Sequence, residues 1–185
     1  MRKMKKIQLP LLILVITLFW QCQQEKDVQY SIRKDGVGLL NRDTPFTDIA
    51  SLYAAESVVS DSSFSLAKIN RINIFEKGGK PLLTVTPDND SIQGIGNIRI
   101  NDSRYLTEKG IGLASTFKEI REQYEIKKVV TSINNVVIFV KDHDVYFTID
   151  REELPASLRY TRDINIEEIQ IPDKARIKYL MIGWE

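Results

Sequence analysis

The sequence predicts an α+β fold, mostly β, arising by tandem duplication of one unit: a strand, a Gly-x-Gly turn, a helix and an antiparallel sheet. Three observations carry this. The chain matches itself at a constant offset of 71 positions. Each copy holds a Gly-x-Gly followed by apolar residues at helical spacing. After each helical stretch come β-branched runs separated by short polar turns.

The elements follow in chain order. Arg2, Lys3, Lys5 and Lys6 precede an apolar run from Leu11 to Trp20, interrupted only by Thr17. This is the charged and hydrophobic pattern of an export signal. The run is shorter than the roughly 20 apolar residues of a bilayer-spanning helix. Gln21 and Cys22 close it, and Gln23 to Asp27 are polar. A cysteine directly after the apolar run resembles a bacterial lipoprotein signal, although Gln21 stands where that family has a small residue. The resemblance implies lipid attachment at Cys22, a signal peptide over 1–21, a tether over 22–29 and an envelope location. Gln23 rather than Asp after the cysteine points to the outer membrane. Cys22 is the only cysteine, so no intramolecular disulfide is available.

Residues 30–102 form the first expected unit and 103–185 the second, packed as one body. Thr44, Phe46, Asp48, Ile49, Tyr53 and Val58-Val59 align with Ser115, Phe117, Glu119, Ile120, Tyr124 and Val129-Val130. Ile98, Ile100 and Asp102 align with Ile169, Ile171 and Asp173. Three residues out of phase, Asp35-Gly36-Val37-Gly38-Leu39 mirrors Lys109-Gly110-Ile111-Gly112-Leu113. The spacing predicts helices over 44–55 and 115–124, with Thr44 and Ser115 as N-caps and Pro45 in the first turn. Phe46, Ile49 and Tyr53 share one helical face, as do Phe117, Ile120 and Tyr124. Strands are expected at 57–60, 71–76 and 81–86, the last two joined by the Lys77-Gly78-Gly79-Lys80 turn. The second unit repeats them at 128–132, 136–141 and 145–149, with Asp142-His143-Asp144 as the turn. An Ile-x-Ile strand closes each unit, and 176–184 reads as a C-terminal strand. Residues 88–91 and 154–163 are the most loop-like internal stretches.

This arrangement behind a tethered cysteine resembles the small outer-membrane lipoproteins built from helix-on-sheet units. The small lipoprotein of the barrel-assembly machinery and the tandem-repeat β-lactamase inhibitor proteins are similar in architecture.

Several chemistries lose support. Gly110-x-Gly112 suggests a phosphate loop, but the third glycine of a dinucleotide fingerprint falls on Ser115, and no Gly-Lys-Ser/Thr occurs. No nucleotide or other cofactor is expected. The chain carries 26 Lys+Arg and 25 Asp+Glu; without the four basic residues of 1–21, 22 face 25, a net charge of −3. No basic aromatic face points to nucleic acid. His143, the only histidine, sits between two aspartates in a turn, a poor setting for an oriented base. One histidine and one cysteine make no transition-metal site. Asp88-Asn89-Asp90-Ser91 lacks the spacing of a calcium loop. Asp90-Ser91-Ile92 resembles the short pattern that is O-glycosylated in exported proteins of Bacteroidota, which makes Ser91 a candidate. The pairs Glu152-Glu153 and Glu167-Glu168 cannot converge locally as a glycosidase pair needs. Ser103, Ser115 and Ser132 have no base that spacing identifies.

The expected function is therefore that of a non-catalytic, membrane-tethered lipoprotein binding an envelope protein or other macromolecule. Two units side by side would present a continuous sheet face. The alternatives are a carrier with an enclosed apolar cavity, and a carboxylate-dependent hydrolase of cell-wall or glycan material.

Overall fold

The computed structural model describes residues 28–61, 71–88, 93–160 and 165–184. Cys22, Ser91, the signal segment and most of the tether lie outside these residues. The fold is α+β and mostly β, with two sheets and short helices. After a 3-10 turn at Val28–Tyr30 come β1 (Ser31–Ile32), β2 (Gly36–Val37) and β3 (Leu40–Asn41). A 3-10 turn at Phe46–Asp48 runs into α1 (Ile49–Leu52). Four longer strands follow: β4 (Ser57–Asp61), β5 (Arg71–Phe75), β6 (Pro81–Pro87) and β7 (Ile95–Ile100). Then come β8 (Leu106–Thr107), α2 (Phe117–Gln123), β9 (Ile126–Thr131), β10 (Asn135–Val140) and β11 (Val145–Asp150). After α3 (Ala156–Arg159), β12 (Ile177–Gly183) ends the fold.

The large sheet has the order β4-β5-β6-β7-β12-β11-β10-β9. Each half of the chain contributes four antiparallel strands, and the halves join where β12 pairs with β7, Leu180 opposite Ile100 and Ile182 opposite Ile98. A small sheet, β3-β2-β1-β8, also crosses the halves: β1 runs parallel to β8, with Ile32 opposite Thr107. Alternate residues of the large sheet enter one core, among them Ile74, Leu83, Val85, Ile98, Phe147 and Leu180. The helices meet the same core through the predicted faces. Phe46, Ile49 and Tyr53 are buried, and so are Phe117, Ile120 and Tyr124.

Several local expectations are corrected. Ser115 is not the cap of α2. Thr116 is, in a capping box with Glu119; Ser115 instead accepts the Gly112 N–H at 3.3 Å and closes the preceding turn. Thr44 likewise accepts the Asn41 N–H at 2.9 Å rather than capping a helix. The first helix starts at Phe46 as a 3-10 turn without a side-chain cap, and α1 ends at Leu52, short of the expected 55. The two Gly-x-Gly motifs also differ in conformation. The residue with positive φ is Gly38, the second glycine, in one copy, and Gly110, the first, in the other. The second Ile-x-Ile is no strand: Glu168–Gln170 is a 3-10 turn and Ile169 is 84% exposed. β12 takes the place beside β7 instead.

Candidate functional site

The core uses one face of the large sheet. Strand periodicity sends the intervening residues to the other face, where most are half-buried or exposed. Cross-strand register aligns eight of them in one row. Val59 (β4) is opposite Asn73 (β5), which is opposite Thr84 (β6), which is opposite Arg99 (β7). Arg99 is opposite Met181 (β12), followed by Tyr146 (β11), Phe139 (β10) and Lys128 (β9). The row crosses every strand of the sheet and contains no carboxylate.

Its polar end is tied together. Asn101 Nδ2 donates to Thr84 Oγ1 at 3.0 Å, and that hydroxyl donates to Asn73 Oδ1 at 2.9 Å. Asn97 Nδ2 donates to the Tyr146 hydroxyl at 2.6 Å, across Gly183, which leaves room for the ring. The other end is aromatic. Phe139 and Tyr146 stack at 5.4 Å, with an interplanar angle of 22°. Lys128 Nζ lies 4.6 Å from the centre of the Phe139 ring.

Arg99 is the singular group. Its guanidinium carbon sits 4.0 Å above the Tyr179 ring, and it makes no hydrogen bond or ion pair among the described residues. Its Nε is buried, with no hydrogen-bond partner among the described residues. Stacking fixes the plane of the fork while its charge has no counter-ion among the described residues, which suits it to a carboxylate or phosphate brought by another molecule. At the margin, Lys178 already holds Asp150 at 2.6 Å.

A concavity of about 520 Å³ runs along the outer edge of β9. Ile126 to Thr131 line one side and Asn165 to Glu168 the other. Ile166 N–H donates to Thr131 Oγ1 at 2.7 Å and fixes that wall. This groove lies at the sheet edge and not between the helices and the sheet, where a carrier cavity was expected.

The residues weighed in the sequence fall elsewhere. His143 occupies the β10–β11 turn beside Asp142, which has φ of 58°. It is half-buried against Tyr124, ring centres 6.1 Å apart, and its Nδ1 accepts the Val145 N–H at 3.1 Å. Asp144 pairs with Arg42, so it does not orient the imidazole. Burial holds the imidazole pKa below its ordinary value; Asp144 and Glu108 oppose the shift, and Lys34 and Lys109 add to it. Glu153 accepts the Arg176 N–H at 3.3 Å, and Glu167 and Glu168 stand on the wall of the β9 groove. Ser103 and Ser132 are exposed. Among the described residues no group of three or more His, Cys, Asp or Glu side chains could hold a metal.

Sequence reasoning anticipated a continuous sheet face but not its residues. The signal was present in the alternation: Val137 and Phe139 interrupt the core positions Val136, Ile138 and Val140, and Met181 separates Leu180 from Ile182. Because both faces carry apolar side chains here, the pattern reads as continuous core.

No protein-family profile matches the chain, and no curated protein matches it. Among solved structures, it is similar to the crystal structure of the uncharacterized protein yfeY from Escherichia coli. That likeness has a TM-score of 0.51 at 13% identity and covers 83% of this chain and 99% of the other. At such identity it speaks to the fold alone.

Proposed function

We propose that this chain is a membrane-tethered, non-catalytic lipoprotein of the cell envelope, and that it binds a protein through the open face of its eight-stranded sheet. The observation that carries the reading is the cross-strand row from Arg99 through Met181, Tyr146 and Phe139 to Lys128. Protein interfaces are enriched in aromatic residues, methionine and arginine at their centre and are polar at the rim. This face has that arrangement, on strands whose backbones are already paired and therefore rigid. The lipid anchor rests on the sequence pattern ending at Cys22.

The proposal includes the duplication. Its support is the constant sequence offset, the aromatic-faced helix preceding each set of four antiparallel strands, and the junction of the two sets at β7 and β12. Joining two copies doubles the width of a sheet that neither would present alone.

The test is site-specific photo-crosslinking in growing cells. A crosslinking amino acid replaces Met181 on the face, and in a second strain Lys77 on the β5–β6 turn. The expected result is one defined protein adduct from position 181 that position 77 does not give. Absence of any adduct from 181, or the same adducts from both positions, would remove the reading.

A further inference from the structure

We infer that the partner presents a protein surface with two carboxylates flanking an apolar centre, one for Arg99 and one for Lys128. The inference rests on the reading of the open sheet face as the binding surface and specifies what binds there.

The argument is one of charge and spacing. Arg99 and Lys128 are in the same cross-strand row, separated by Met181, Tyr146 and Phe139. Four strand spacings of about 4.8 Å place their backbones about 19 Å apart. Neither cation has a carboxylate partner among the described residues, and each is held over an aromatic ring, Tyr179 and Phe139 respectively. Asp150, at the margin, is occupied by Lys178. The row is therefore positive on a chain that carries net −3 beyond residue 21. Face-to-face pairing of two copies would set Arg99 and Lys128 of each against a row that contains no carboxylate, so a second copy is a poor occupant. An acidic partner neutralises both ends and covers the rings between them. About 19 Å corresponds to roughly six residues of extended chain or about 13 of helix, so a single short segment can supply both carboxylates.

The probe is a phage-displayed library of random 20-residue peptides, selected on the detergent-solubilised full-length chain. Enriched peptides are then titrated against Arg99→Ala, Arg99→Lys, Lys128→Ala and Met181→Ala variants whose circular dichroism matches the parent. The expected peptides carry Asp or Glu on both sides of an apolar stretch. Arg99→Ala and Lys128→Ala should each weaken them about tenfold or more, with Arg99→Lys keeping part of the affinity and high salt shrinking the difference. Peptides that lose affinity on Met181→Ala but ignore both charge removals overturn this inference and leave the face as the binding surface. Binders indifferent to all substitutions, or no binders at all, overturn both. Displacement of the peptides by hyaluronan oligosaccharide, dependent on Arg99, would make the ligand an acidic glycan and overturn the protein assignment.

Discussion

Two titratable side chains link the stability of the fold to pH. Asp102 is 1% exposed, yet it accepts from Arg104 Nη2 at 2.6 Å, from Lys80 Nζ at 2.8 Å and from the Arg104 N–H at 2.9 Å. Chiefly through the Arg104 hydrogen bonds, its carboxyl is held well below the usual carboxylate range. Its folded pKa is depressed, so its contribution is present above the unfolded value near 4 and is lost as pH falls further. Asp102→Asn should cost about 3 kcal/mol at pH 7, at the low end for breaking a buried pair because Arg104 and Lys80 can turn to solvent. The gap in urea midpoint between the variant and the parent should narrow in acid; a gap that stays constant to pH 3 would refute the linkage. The other is His143, whose pKa burial holds below its ordinary value. The fold prefers its neutral form, since Nδ1 must be bare to accept the Val145 N–H. Protonation removes that acceptor beside Lys34 and Lys109. Wild-type stability should therefore fall as pH drops below about 6.5. His143→Gln should remove that slope between pH 7.5 and 5.5, and an unchanged slope would assign it to other groups.

At the scale of elements, the longer pieces were legible because each has a strong local signal. Lys77-Gly78-Gly79-Lys80 and Asp142-His143-Asp144 interrupt β-branched runs, and the hairpins β5–β6 and β10–β11 form around them. The two-residue strands β1, β2, β3 and β8 are too short for any periodicity, and their partners lie in both halves of the chain. The Ile169–Ile171 expectation failed because two isoleucines at period 2 satisfy a strand pattern without a neighbour to pair with; β12 had the longer alternation and won the place. The helix faces were legible to the residue, but the caps were not, since Ser115 and Thr116 are adjacent hydroxyls and only geometry chooses between them. Burial now ranks the two aromatic anchors. Phe117 is wholly buried, whereas Phe46 retains 8% exposure on an uncapped 3-10 turn. Phe117→Ala should cost about 3–5 kcal/mol and Phe46→Ala less, measured by denaturant unfolding. The reverse order would mean that the first helix is the stronger anchor.

For the whole molecule, the question is how the domain relates to its proposed anchor. The described chain begins with the Val28–Tyr30 turn, and Tyr30 is already committed to the domain. Its hydroxyl donates to Glu76 at 3.1 Å, the Arg104 guanidinium lies 4.2 Å from its ring centre, and Tyr105 meets it edge-on at 5.3 Å. These contacts fix the point at which the proposed tether would enter the domain. If lipid is attached at Cys22, each buried methylene contributes about 0.8 kcal/mol to membrane residence, and none of that energy enters the core. Cys22→Ala should therefore abolish labelling by a fatty-acid analogue and either release the protein from its lipid anchor or leave an uncleaved precursor. The domain itself, measured on purified protein, should unfold at the same temperature as the parent. A mature wild-type protein recovered soluble, unlipidated and with a free thiol would end the lipoprotein assignment. A lowered unfolding temperature would instead show that residue 22 contacts the domain, and the idea of a passive tether would fail even with the lipid in place.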